Sequence, residues 1–119
     1  MRRFVIQRHS REEEPVHWDL MLEQNGALET YRVGLPPVEW GNEPVEAAKI
    51  FDHSLKFLTY EGSVNKGKGQ VKTADSGTYE VMGESNGMRR IRFSGMVVKN
   101  GFTLRQIEGE RWELKNIEH

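Results

Sequence analysis

His17 and Asp19 stand two residues apart in the run Val16-His17-Trp18-Asp19-Leu20-Met21-Leu22-Glu23. Residues two apart on a β-strand project from the same face, about 6.6 Å apart along the backbone. An imidazole and a carboxylate so placed can converge on one divalent cation. His9 closes an earlier apolar run. The acidic connection Arg11-Glu12-Glu13-Glu14-Pro15 is long enough to fold back and bring it beside His17. Two imidazoles and one carboxylate suit Mn²⁺, Fe²⁺ or Zn²⁺ and leave positions open for water or substrate. His53 follows Asp52 and can reach the same pocket; His119, the last residue, completes the four histidines. On spacing alone, a His-x-Asp pair is more often a solvated strand face than a pair of ligands.

The elements that must position these residues read as strands. Val16, Trp18, Leu20 and Leu22 share one parity, while His17, Asp19 and Glu23 share the other with Met21. That period of two marks a strand with one apolar face. Asn25-Gly26 follows at once, and both residues accept the positive φ of a type I′ hairpin turn. Leu28 to Val33 is then the return strand, and Arg3 to Arg8, with Phe4, Val5 and Ile6, is a short strand before the pair. Asn86-Gly87 and Asn100-Gly101 repeat the turn signal among the runs Thr78–Met82, Met88–Phe93, Met96–Lys99 and Phe102–Ile107. Trp112-Glu113-Leu114 reads as a last short strand. Many short strands with tight turns indicate an all-β barrel or sandwich. Gly34 to Pro44, with three of the four prolines, reads as a long loop, and Gly62 to Gly69 as a flexible one. Val45 to Ile50 admits a strand or a single helical turn, and Glu46, Ala47, Ala48 and Lys49 favour the turn. Trp18, Trp40 and Trp112 read as packing residues rather than base-stacking platforms.

Length and composition bound the rest. At 119 residues the chain has room for one domain with one core, and no repeat or boundary divides it. It contains no cysteine, which excludes disulfides and thiolate ligands. No apolar run approaches the roughly 20 residues of a membrane-spanning helix. Arg2-Arg3 has no long apolar stretch behind it, so no signal peptide is expected and the expected location is the cytoplasm. A net charge of −1 argues against a generic nucleic-acid binder but leaves room for an enzyme that grips one strand end. Basic residues gather locally at Lys66 and Lys68 and at Arg89, Arg90 and Arg92, a pattern usual for solvated faces.

A series of segments narrows the reading. Phe4-Val5-Ile6-Gln7-Arg8-His9, His17 to Gly26, Asp52-His53-Ser54-Leu55 and Tyr60-Glu61-Gly62 occur in order. Gly77-Thr78-Tyr79-Glu80, Gly101 to Arg105 and Trp112-Glu113-Leu114-Lys115 continue it. Together they resemble the 3′-phosphoesterase domain of bacterial DNA ligase D over nearly the whole chain. The resemblance implies a small antiparallel β-barrel with a catalytic metal, usually Mn²⁺, in its interior or mouth. It implies removal of a terminal ribonucleoside and of a 3′-phosphate from DNA or RNA-tipped DNA, an end-healing step of DNA repair. His9, His17 and Asp19 match the family's metal ligands, and His53 the histidine that contacts the scissile phosphate. On that resemblance, the metal would neutralise phosphate charge and activate water, while His53 would orient the phosphate or protonate the leaving oxygen.

The chain departs from the family pattern at four places. Met21 replaces an arginine, Phe57 a tyrosine and Phe51 a glutamate, and the His9 to His17 connection is two residues longer. Met21 cannot offer the bidentate charged bonds that an arginine gives a phosphate. Arg8, Lys49 and Arg90 are the candidates to supply that cation from another direction. No ligase or polymerase module accompanies the domain, so a stand-alone module is expected, with DNA or RNA–DNA 3′ ends as its partner. Separate ligase, polymerase or Ku-like proteins are further candidate partners. Three activities fit: a metal-dependent phosphoesterase (hydrolase), an impaired relative that binds metal or strand ends, and, more remotely, a mononuclear non-haem iron oxygenase with a His-x-Asp…His triad.

Overall fold

In the computed structural model, which describes residues 1–118, the chain is a closed antiparallel barrel; His119 lies outside the described residues. Nine strands occur in chain order: β1 (Arg2–Arg11), β2 (His17–Gln24), β3 (Ala27–Val33), β4 (Val45–His53), β5 (Gly62–Val64), β6 (Gly69–Ser85), β7 (Met88–Ser94), β8 (Gly101–Glu108) and β9 (Arg111–Asn116). Eight of them form the ring β1-β2-β3-β4-β9-β8-β7-β6, which β6 closes by pairing with β1 from Arg2↔Tyr79 to Arg11↔Gly69. The short β5 adds to the outer edge of β6 before β7 takes over that edge. Closure removes the free edges that an open sheet would expose. Among the described residues, no helix is long and apolar enough to cross a membrane.

The turn chemistry sets the register. Asn25 and Gly26 take φ of 53° and 78°, and the tight turn pairs Gln24 with Ala27, Asp19 with Arg32 and Trp18 with Val33. Alternation then divides every strand between two faces. Phe4, Ile6, Leu20, Leu22, Tyr31 and Val33 turn inward to a core completed by Phe93, Phe102, Leu104 and Leu114. Trp40 is fully buried in that core, and Trp18 and Trp112 pack against it. Val5, Met21 and Leu28 point the other way and form a second, smaller cluster. A 3₁₀ helix, Leu55–Leu58, lies over them and contributes Leu55, Phe57 and Leu58.

Several sequence expectations are corrected. Val45 to Ile50 is strand, not a helical turn: β4 pairs with β3 on one edge and β9 on the other, and Val45 and Ala47 turn into the core. Ladder hydrogen bonds on both edges and burial outweigh the modest helix preference of Glu46-Ala47-Ala48-Lys49. The only helical segments among the described residues are 3₁₀, Pro37–Glu39 in the proline-rich loop and Leu55–Leu58. Met96 to Lys99 is a loop between β7 and β8. The buried Asp75 carboxylate holds it, accepting from the backbone N–H groups of Met96, Val97 and Val98 at 2.8, 3.1 and 2.8 Å. The segment Gly62 to Gly69 is a tight β5–β6 hairpin rather than a free loop, with Asn65, Lys66 and Gly67 at positive φ.

Candidate metal centre

The β1–β2 register pairs His9 directly with His17 and Gln7 with Asp19. His9, His17 and Asp19 therefore share one face, and alternation makes it the outer one, opposite Ile6 and Leu20. The resemblance implied a metal in the barrel interior or mouth; here the inside is filled by the apolar core, and the trio sits on the outside wall. One ligand atom from each of the three lies within 4.8 Å of the other two. His9 Nδ1 faces His17 Nε2 at 2.9 Å, and the Asp19 carboxylate oxygens stand 3.9 Å from the first and 3.6 Å from the second. Ligands about 2.1 Å from a shared ion stand roughly 3.0–3.4 Å apart, so small shifts complete a coordination sphere. Two imidazole nitrogens and a carboxylate are a donor set that fits a divalent cation.

Burial, then the neighbouring His17, pushes the His9 imidazole below its ordinary pKa, against the opposing pull of Asp19. Metal ligands must be deprotonated, so this shift keeps His9 available at lower pH. The far side of its ring is packed closely: His9 Nε2 is buried with no hydrogen-bond partner. A Cβ built on Gly69 of β6 would stand 3.1 Å from that nitrogen and 3.1 Å from Val64 Cγ2. Gly69→Ala is therefore expected to push the His9 ring off its position and weaken Mn²⁺ binding several-fold, read by titration calorimetry. An unchanged affinity would show that the ring has room to move.

His53 ends β4 opposite Leu28 and joins the same face through a bulge. Thr30 pairs with Ile50 and Leu28 with His53, so β4 spends one residue more than β3 over this stretch. Bulges of this kind re-aim side chains. The Thr30 hydroxyl donates to the Leu28 carbonyl at 3.0 Å and lies 2.8 Å from His53 Nδ1. Its one proton is committed to the carbonyl, so the hydroxyl accepts from His53 Nδ1–H, and the neutral ring keeps its lone pair on Nε2. Phe51 stacks on the imidazole at 4.9 Å and 17°, and Phe57 meets it edge-on at 5.7 Å. Burial pushes the His53 pKa down, with Asp19 opposing. Gln7 fastens the covering segment, donating to the carbonyls of Phe57 and Tyr60 at 3.1 and 2.8 Å.

Residues 7–106 match the DNA ligase D 3′-phosphoesterase domain. The chain belongs to that family. The multifunctional non-homologous end joining protein LigD of Mycolicibacterium smegmatis is 30% identical to it over 124 residues, spanning 92% of this chain. The LigD proteins of Mycobacterium bovis and Mycobacterium tuberculosis are each 32% identical over 127 residues, spanning 95% of the chain. The chain spans 16% of the length of each of these relatives.

Within this phosphoesterase-family fold, the departures have physical consequences. Met21, in the place of the arginine, is fully buried with Val5 and Leu28 beneath the 3₁₀ helix, so that position has joined the packing. The proposed substitutes for the lost cation lie elsewhere. Arg8 projects from the opposite side of β1 and lines a cavity of about 450 Å³ with Ser10, Gln70 and Lys72. Lys49 Nζ lies 5.7 Å over the Tyr31 ring, and Arg90 packs against Gly83 of β6. A cation missed in the sequence stands beside the trio instead. Arg32 of β3, the cross-strand partner of Asp19, donates from Nε to Asp19 Oδ1 at 3.4 Å. Its side chain is 43% exposed, and no other hydrogen bond engages the guanidinium among the described residues, which leaves its terminal N–H groups free for an anion.

Proposed function

We propose that this chain is a metal-dependent phosphoesterase that processes 3′ ends of DNA or RNA-tipped DNA, removing a 3′-phosphate or a terminal ribonucleoside. The observation that carries the reading is the convergence of His9, His17 and Asp19 on the face that also bears His53 and Arg32, in a chain of the 3′-phosphoesterase family. The relatives' names refer to non-homologous end joining, which makes a DNA break the natural context and separate ligase, polymerase or Ku-like proteins natural partners. Mn²⁺ is the proposed ion, with Zn²⁺ and Fe²⁺ compatible with the same donors.

In this reading His9, His17 and Asp19 hold the ion. The bound ion supplies charge neutralisation at the phosphate and acidity to activate water. Arg32 grips a phosphate oxygen from the β3 side through its free N–H groups, a charge-assisted contact that Met21 cannot make. His53 Nε2 meets another phosphate oxygen. The incoming negative charge raises the pKa of the imidazole, so the ring takes up a proton and can donate it to the phosphate or the leaving oxygen. Thr30 and the two phenylalanines keep the ring from turning.

The deciding experiment is hydrolysis of a 3′-phosphorylated primer-template with added Mn²⁺, wild type beside His17→Ala. Metal-dependent release of phosphate that the variant loses supports the reading; metal binding without release favours an end-binding module. At saturating Mn²⁺, Arg32→Ala is expected to raise KM about tenfold, and the loss of its bond to Asp19 should also weaken the metal. An Arg32→Ala enzyme with unchanged KM would remove Arg32 from the phosphate site.

A further inference from the structure

We propose that Phe51 is a stacking platform for the nucleobase adjoining the phosphate, so that the site takes nucleotides in preference to phosphate esters without a base. The inference rests on the proposed phosphoesterase reading, in that it places a phosphate between the metal ligands and His53.

Phe51 is 74% exposed, yet it is no loop residue. It lies within β4, where the extra residue of the bulge fixes its backbone between the paired positions Ile50 and His53. One face of its ring is occupied by the His53 imidazole, at 4.9 Å and 17°. The other face is open to water. On the far side of His53, Phe57 is fixed by the covering segment, so the stack is anchored at one end and free at the other. Lys56 Nζ lies 5.3 Å over the Phe57 ring, adding a cation to the rim of the stack.

A flat, exposed aromatic surface one stacking distance from the imidazole that meets the phosphate suits a base attached to that phosphate through a sugar. Stacking on an aromatic ring tolerates any base, because every base offers a π-face. It also matches an end-processing role, in which the terminal sequence is arbitrary. The change from a carboxylate to Phe51 removes a charge that would repel a phosphate and puts an apolar ring in its place. A platform of this kind places binding energy on the base rather than on the phosphate, beside a site whose clamp has lost an arginine.

The test uses probes that cannot turn over. Binding of thymidine 3′-methylphosphonate is compared with that of a tetrahydrofuran abasic 3′-methylphosphonate, by calorimetry on the Mn²⁺-loaded full chain. The expected result is a preference for the base of about tenfold in wild type. Phe51→Ala should erase the preference and Phe51→Trp should keep it. Because the side chain is exposed, both variants should melt close to wild type. Equal binding of the two probes by wild type, binding of neither, or a preference that survives in Phe51→Ala overturns the platform. So does a Phe51→Ala variant that loses affinity for both probes equally, which would make Phe51 a support for His53 alone. A base preference that depends on Phe51 supports the platform even where the primer-template assay shows no hydrolysis, and in that outcome it is the phosphoesterase reading that fails.

Discussion

Asp19→Ala should abolish divalent-metal binding, lowering Mn²⁺ affinity by more than the roughly 10- to 100-fold that loss of an outer-shell partner costs. Asp19 is the only carboxylate of the trio, and without it two imidazoles face each other with no negative charge to offset the ion. The same carboxylate also accepts from Arg32. That arginine is half-exposed and can turn to water, so the fold should survive with a melting temperature near that of wild type. Electron paramagnetic resonance of free Mn²⁺ measures the loss directly. Stoichiometric Mn²⁺ retained by a folded Asp19→Ala chain would refute the centre.

The second large effect is on stability and lies away from the centre. Asp75 accepts from four backbone N–H groups: Ser76 and Met96 on Oδ1, Val97 and Val98 on Oδ2. The carboxylate is buried, and Gly95 packs so closely that a Cβ there would lie 2.5 Å from Oδ2. Asp75→Ala leaves several buried donors unpaired, at about 1–3 kcal/mol each where water cannot reach them. With partial rescue by solvent, a loss of about 3–5 kcal/mol is expected, a fall in Tm on the order of 10–25 °C. Thermal melts by circular dichroism test it, and a Tm within about 3 °C of wild type would mean that the loop finds other partners. Mn²⁺ affinity, measured below the transition, should not change.

Much of this architecture was legible in the residues. Alternation around His17 and Asp19, followed by Asn25-Gly26, was enough to place both side chains on one face and to identify the return strand. The same turn also locates Arg32. A two-residue turn that pairs Gln24 with Ala27 pairs Asp19 with Arg32 five steps back, so the cation could have been found by counting. What the sequence could not carry was non-local. Val45 to Ile50 has helix-forming residues, and only the strands on either side make it β4. The outer placement of the trio was legible, because Trp18, Leu20 and Leu22 put the apolar face on the other side of β2; the closure of β1 against β6, far away in sequence, was not. The alignment of Phe51 with His53 depends on a bulge, and no residue type announces it.

The division of β1 between two partners bears on how the protein reaches its folded form. The β1–β2 hairpin that juxtaposes His9 and His17 closes over eight residues, whereas the β6 strand that backs His9 joins it across the interval from His9 to Val71. Local closures form fast and distant ones slowly, with barrels of this kind commonly needing milliseconds to seconds. The proposed ligands His9 and His17 would thus be gathered early, and the wall that backs His9 would arrive late. Affinity for the ion should climb during refolding as the ring seals. By mass action, an ion that prefers the sealed ring stabilises it against reopening at the β1–β6 seam.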